Sequence, residues 1–131
     1  MKDQLNAVEL FHNKFGIENG VAPQLLKDKE ALLRYNLMDE ENKEYIEACR
    51  EDDLVAIADA LGDQLYILCG TILKHGMQHK IEEVFTEIQR SNMSKLGEDG
   101  KPIYREDGKI LKGPMYTKPD ITSILFPHES L

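Results

Sequence analysis

Cysteine is scarce in this 131-residue chain: Cys49 and Cys69 alone, at a spacing that suits neither a zinc site nor a disulfide framework. Basic residues are also in short supply, with 16 Lys and Arg against 24 acids and a net charge of −8. That balance excludes a general attraction to nucleic acid backbones. An anionic substrate would need a divalent cation or a few local lysines to overcome the same repulsion. His12, His75, His79 and His128 have no catalytic spacing, and neither His75 nor His79 follows a Glu by three residues. The Glu-x-x-His di-iron bundle is thereby removed. Gly97 to Gly100 is too short for a phosphate-cradling loop. Internal repeats, low-complexity tracts and a signal-peptide pattern are missing too, and a reducing cytoplasm is the expected setting.

What is present describes an ordinary globular protein, 41% hydrophobic and 31% charged, long enough for one domain with a real core. One long apolar run stands out, LVAIADALGDQLYILCGTIL from Leu54 to Leu73. It is just long enough to span a membrane, but Asp59 and Asp63 near its centre, with Gln64 beside the second, argue against insertion. A buried helix inside a bundle fits better. The two aspartates are four apart and so share a helix face. Burying a carboxylate is costly without a cation or donors to compensate it.

Periodicity predicts four helices: about Asp3 to Phe15, about Leu25 or Asp28 to Arg50, about Asp53 to His75, and about Gln78 to Lys95. Glu51-Asp52-Asp53 reads as a turn that places negative charge at the third helix's N-terminus, and Gly76 as its C-terminal stop. On the second helix Leu33, Leu37, Glu41, Glu44 and Ala48 form one line, so an apolar stripe turns acidic. On the fourth, Ile81, Val84, Phe85 and Ile88 run into Asn92 and Lys95. After Leu96 glycines and prolines end the helical pattern. Glu106-Asp107-Gly108 between Ile103-Tyr104-Arg105 and Lys109-Ile110-Leu111 predicts a β-hairpin, followed by an extended tail.

The acidic set is Glu40, Glu41, Glu44, Glu47, Asp59 and Asp63. Pairs three or four apart on one helix can approach a common ion, and two such helices side by side make a cage of oxygen ligands. Oxygen donors suit Mg²⁺ or Mn²⁺, and Mg²⁺ commonly binds substrate phosphates. The bland alternatives are a solvated helix face for Glu40 to Glu47 and a frayed surface helix end for Asn92 and Lys95.

Glu40-Glu41-Asn42-Lys43-Glu44 followed by Asp59-Ala60-Leu61-Gly62-Asp63 resembles the E-E-x-x-E … E-x-x-D signature of the all-α nucleotide pyrophosphohydrolases, the MazG-like and phosphoribosyl-ATP pyrophosphohydrolase-like superfamily. Ser91-Asn92-Met93-Ser94-Lys95 is similar to that group's Asn/Lys segment, and Lys112-Gly113-Pro114-Met115-Tyr116 … Pro119-Asp120 to the tail of its small members. The resemblance covers about residues 30 to 120. In one place the chain departs from the pattern: the family's second-motif Glu falls on Ala60, and Asp59 is the nearest acid.

The resemblance implies an all-α fold, a four-helix MazG-like bundle over about residues 3–96 with a small C-terminal hairpin and tail over about 97–131, the whole being a single domain. It implies Mg²⁺ (or Mn²⁺) held by Glu41, Glu44 and Asp63, with Asp59 in place of the missing Glu and Glu40 as base, second-ion ligand or outer support. It further implies Asn92, Lys95, Lys112 and Tyr116 on the substrate, and a homodimer or dimer of dimers. The reaction implied is hydrolysis of a nucleoside triphosphate or related nucleotide to the monophosphate and pyrophosphate. Two other classes remain open at this point: a helical nucleotide-binding or regulatory module without turnover, and a helical assembly protein whose acids only solubilise it. No nucleic acid polymer and no membrane is expected as a partner.

Overall fold

The first three expected helices are present in the computed structural model, which describes residues 1–128, as α1 (Lys2–Lys14), α2 (Asp28–Arg50) and α3 (Leu54–Lys74). They lie in one compact unit, Met1–His79. α3 packs against both α2 and α1. The core is small: Leu5 and Val8 from α1, Ala48 from α2, and Ala60, Cys69, Ile72 and Leu73 from α3. Asp53 caps α3 by accepting the Ala56 N–H at 3.0 Å, which satisfies one of the free donors of a helix start.

The other end of α3 is closed by a glycine in the left-handed region. Gly76 has φ +67°, its N–H donates to Leu73 O and the Met77 N–H to Ile72 O, both at 3.0 Å. This is the paired closure of a helix that stops on glycine. Residues 20–24 then fold over the same end. The Gly20 N–H donates to Leu73 O and the Gln24 N–H to His75 O, each at 2.9 Å, and the Gln24 side chain donates to Lys74 O.

A charged side chain sits inside this unit. The Arg34 guanidinium, from α2, donates to Thr71 Oγ1 at 3.0 Å and to Ile67 O at 2.9 Å on α3. Burial pulls its pKa below the ordinary arginine value. Gly70 makes this approach feasible, because a Cβ there would lie 2.6 Å from Arg34 Nη2 and 3.1 Å from Nε2 of the buried His12. Arg34→Met removes both donors while keeping the aliphatic stem. It is expected to lower the unfolding free energy by about 2 kcal/mol, read from the midpoint of urea unfolding.

A second compact unit begins at Lys80 and holds α4 (Ile81–Met93) and α5 (Ile121–Leu125), which touch each other. Three expectations are corrected here. α4 is shorter at both ends than the periodicity suggested; at its C-terminus the Ser94 hydroxyl donates to Ser91 O at 2.6 Å, a local bond that competes with further helix. The β-hairpin is not formed: among the described residues there is no strand, only a single antiparallel bridge between Tyr104 and Ile110. The turn itself lies where Asp107-Gly108 placed it, with Gly108 at φ +87°. Residues 103–110 are all exposed, so no apolar face favours further rungs. The tail is not wholly extended either, because Asp120 caps α5 through the Ser123 N–H and hydroxyl.

α3 was expected to be buried inside a bundle. Instead Leu54, Leu61, Leu65 and Leu68 are exposed, and only 22% of its most apolar window is buried. By length and composition α3 would suffice to cross a membrane.

Candidate functional site

Glu41 and Glu44 stand one helical turn apart on α2, and Asp63 stands on α3. The turn at 51–53 folds α3 back along α2: the Asp53 N–H donates to Ala48 O at 3.0 Å, and Asp52 takes φ +53°. Beside the acids, the Gln64 amide donates to Asn42 Oδ1 at 3.3 Å and ties the two helices at this level. One carboxylate oxygen from each of Glu41, Glu44 and Asp63 then lies within 4.8 Å of the other two.

Three acids this close repel one another when ionised. Glu41 Oε2 is buried and has no hydrogen-bond partner. Burial pushes the Glu41 carboxyl up to about 7, helped by a hydrogen bond with Glu44 and by the charges of Glu44, Asp63 and Asp59. Protein cations do not answer this charge. Lys43, the nearest lysine in sequence, is paired with Asp39 at 2.9 Å. Among the described residues no Lys or Arg forms an ion pair with any of the three acids. An orphaned oxygen in an all-oxygen donor set fits a hard divalent cation such as Mg²⁺.

Glu40 and Asp59 lie outside this close set, and both are exposed. Asp59 adds its charge to the field at Glu41, whereas Glu40 acts on Lys43. Ala60, where the pattern would place a glutamate, is buried at 2% exposure.

In the second unit, Asn92 and Lys95 line one cavity at the end of α4. Lys112 and Tyr116 sit in a turn that rests on that end: the Gly113 N–H donates to Lys95 O at 2.8 Å and the Tyr116 N–H to Gly113 O at 3.1 Å. The Lys112 ammonium lies over the Tyr116 ring, 4.7 Å from its centre, a favourable contact for a cation.

The turn is anchored by residues that sequence reasoning did not single out. Arg90 donates through Nη1 to Thr117 Oγ1 and through Nε to Glu87, each at 2.6 Å. The buried Ser91 donates to Thr117 O at 2.9 Å, and the Thr117 N–H donates to Ser94 Oγ at 3.1 Å. Glu87 also accepts the Asp120 N–H at 2.7 Å. Arg90, first, and then this backbone donor hold the Glu87 carboxyl down at about 2. Only the Glu87–Arg90 spacing was visible in sequence; the partners at 117–120 are distant along the chain.

Residues 8–92, more than half of the chain, match the family model of phosphoribosyl-ATP pyrophosphohydrolase. The chain belongs to that family. No curated protein matches it. The phosphoribosyl-ATP pyrophosphohydrolase match takes in Glu40, Glu41, Glu44, Asp59 and Asp63 and ends on Asn92; Lys95, Lys112 and Tyr116 lie beyond it. The carboxylate cluster and the all-α architecture therefore fall within a MazG-like family of nucleotide pyrophosphohydrolases, which are hydrolases.

Proposed function

We propose that this chain is a Mg²⁺-dependent nucleotide pyrophosphohydrolase that converts a nucleoside triphosphate, or a related nucleotide, to the monophosphate and pyrophosphate. The observation that carries the reading is the three-acid cluster with its buried, unpartnered Glu41 oxygen, within the family match. Glu41, Glu44 and Asp63 would hold the cation, with Asp59 as a further oxygen donor. When bound, Mg²⁺ (or Mn²⁺) neutralises phosphate charge and lowers the pKa of water. Water oxygen adds to phosphorus, the anhydride bond between the α- and β-phosphates breaks, and pyrophosphate leaves. Glu40 accepts the proton of the attacking water. Lys95 offsets charge on the phosphates, Asn92 orients phosphate or sugar, and Lys112 with Tyr116 completes the contact to substrate. That residues 1–131 act as one functional domain is part of the same proposal; the family match supports it from residue 8 to Asn92, within α4. A cytoplasmic setting, with a nucleotide and neither nucleic acid polymer nor membrane as partner, accompanies this reading.

A homodimer, or a dimer of dimers, belongs to the same proposal. Leu54, Ala58, Leu61, Leu65 and Leu68 recur at steps of four and three along α3 and are exposed, which is the seam of a helix that packs against another helix. A second copy covers it more readily than lipid, because Asp59 and Asp63 ride on the same helix. Leu61→Glu with Leu65→Glu is expected to convert dimer to monomer in sedimentation-velocity runs at micromolar concentration, while helical content is retained.

One observation favours a second reading, a nucleotide-binding module without turnover: Ala60 puts a buried methyl where the family pattern has an acid. Calorimetric titration with nucleotide and Mg²⁺, followed by assay of the same sample for pyrophosphate, separates the two. Pyrophosphate release supports the enzyme; saturable binding with intact nucleotide supports the module.

A further inference from the structure

The loop after α1 closes a cavity of about 580 Å³ that lies wholly within the unit Met1–His79. That volume falls in the range of small-molecule sites, about 300–1,000 Å³. Helix α1 gives way to Gly16, at φ +70°, and the Ile17 N–H donates back to His12 O at 2.8 Å. The loop is thereby turned towards His12, a side chain only 3% exposed, whose Nδ1 lies 2.5 Å from Asn19 Oδ1. The Gly20 N–H donates to Leu73 O at 2.9 Å and the Lys74 ammonium to Glu18 O at 2.7 Å, two bonds that fix the loop to the end of α3. Asp63 stands eleven residues before Lys74, about 16 Å along the helix axis. The cavity is therefore separate from the carboxylate cluster.

Its chemistry is one-sided. Gln78 lines the cavity, and its amide nitrogen donates to Gly20 O at 2.9 Å. A carbonyl oxygen only accepts, so this bond sets the orientation of the carboxamide. The Gln78 oxygen is then buried with no hydrogen-bond partner. Among the described residues the other buried side-chain atom in that condition is Glu41 Oε2, in the carboxylate cluster. An orphaned buried oxygen calls for a donor. Glu9 and Glu18 add two carboxylates to the lining, and among the described residues neither has an ion-pair partner. No Lys or Arg is among the lining residues, whereas Ile17 and Val21 supply an apolar wall. A ligand matched to this set donates hydrogen bonds, carries positive charge and has a short hydrocarbon body. The apolar wall favours an organic cation over a bare metal ion.

We propose that this cavity is a second binding site, for a small alkylammonium ion of the amine or polyamine class. The ammonium N–H meets Gln78 Oε1, the hydrocarbon chain lies on Ile17 and Val21, and the exposed Glu9 and Glu18 answer the charge at the rim. The site is independent of the pyrophosphohydrolase reading and stands or falls without it. Occupancy stabilises the native chain, because a ligand of the folded state alone does so.

The test uses the full chain with spermidine, propylamine and tetramethylammonium as probes, followed by calorimetry and by the side-chain amide resonances of isotope-labelled protein. Spermidine and propylamine should bind saturably and shift the Gln78 side-chain signal. Tetramethylammonium carries the charge of propylammonium without an N–H donor, and should bind about tenfold more weakly than propylamine. Gln78→Met keeps the length of the side chain and removes the acceptor, and should weaken spermidine about tenfold. Glu9→Gln with Glu18→Gln, both at exposed positions, should weaken it about fivefold. Glu44→Gln with Asp63→Asn should leave spermidine binding as it is. Spermidine affinity unchanged in either folded cavity variant overturns the proposal. Loss of binding on Glu44→Gln with Asp63→Asn also overturns it, by placing the amine in the carboxylate cluster. Tetramethylammonium bound as tightly as propylamine is the mark of a counterion held by charge alone and has the same consequence. A Gln78 signal that no amine moves means that solvent answers its oxygen, and overturns the proposal as well.

Discussion

Glu44→Gln is expected to reduce pyrophosphate release at least a hundredfold, with little change in secondary structure. Removal of one preorganised electrostatic contact from a catalytic site typically costs two to three orders of magnitude, about 3–4 kcal/mol. Here the substitution keeps shape and removes charge from a set whose oxygens lie within 4.8 Å of one another. Asp63→Asn should behave alike, since Asp63 is the contribution of α3 to the same set. Glu41→Gln adds a diagnostic of its own. The Glu41 carboxyl is raised from the ordinary 4.5 to about 7 by burial and by the neighbouring acids. The folded chain therefore holds this proton more tightly than the unfolded chain does. Its contribution to stability is present below about 4.5 and is lost as pH rises through about 7. Metal-free wild type should lose melting temperature over that window, and Glu41→Gln should flatten the slope. Millimolar Mg²⁺ at pH 8 should raise the wild-type melting temperature and leave Glu41→Gln unmoved, because a ligand of the native state alone stabilises it. Activity that survives Glu44→Gln and Asp63→Asn would locate the chemistry elsewhere.

Gly76→Ala should destabilise the first unit by about 3 kcal/mol or more, among the larger single-residue effects. Two costs combine at this position. The backbone holds φ +67°, which L side chains rarely adopt. The added methyl would also fall 2.1 Å from Ala22 O and 2.9 Å from Ala22 N, both main-chain atoms that cannot swing aside. Relief requires residues 20–24 to lift from the end of α3, exposing the carbonyls they satisfy. Gly100 supplies the comparison. It holds φ +75° but nothing lies within 4 Å of an added Cβ, so Gly100→Ala should cost only the conformational part, about 1 kcal/mol. Midpoints of urea unfolding for the two variants separate strain from collision. Equal midpoints would mean that the Ala22 contact is unimportant.

Much of the architecture was readable because its causes are local. Glu41 and Glu44 share a helix face by spacing alone, and Gly76 ends α3 for a reason intrinsic to glycine. Asp53 caps a helix whose apolar run begins one residue later. The features that escaped are those set by contacts distant in sequence. Arg34 was an unremarked charge until Gly70 and Thr71 appeared beside it on another helix. Thr117 meets Ser91 and Ser94 only because a loop of more than twenty residues returns to α4. The Asp107-Gly108 pair correctly marks a turn, but whether a turn grows into a hairpin depends on a face to pack against, and residues 103–110 have none. Asp120 began a short helix in a segment where flanking prolines suggested extended chain. The apolar composition of α3 suggested complete burial, yet four of its leucines face outward. Hydrophobicity shows that a surface is to be covered, not what covers it.

Which bond is cut, and by which residues, decides the function of this chain. Phosphorus NMR of wild-type protein incubated with Mg²⁺ and each member of a panel of nucleoside triphosphates and phosphoribosyl-nucleotides reads this directly. At least one nucleotide should yield its monophosphate and pyrophosphate in equal amounts, chelation of the metal should stop the reaction, and Glu44→Gln should do the same. A panel left intact, or products of diphosphate and orthophosphate, would contradict the proposed function.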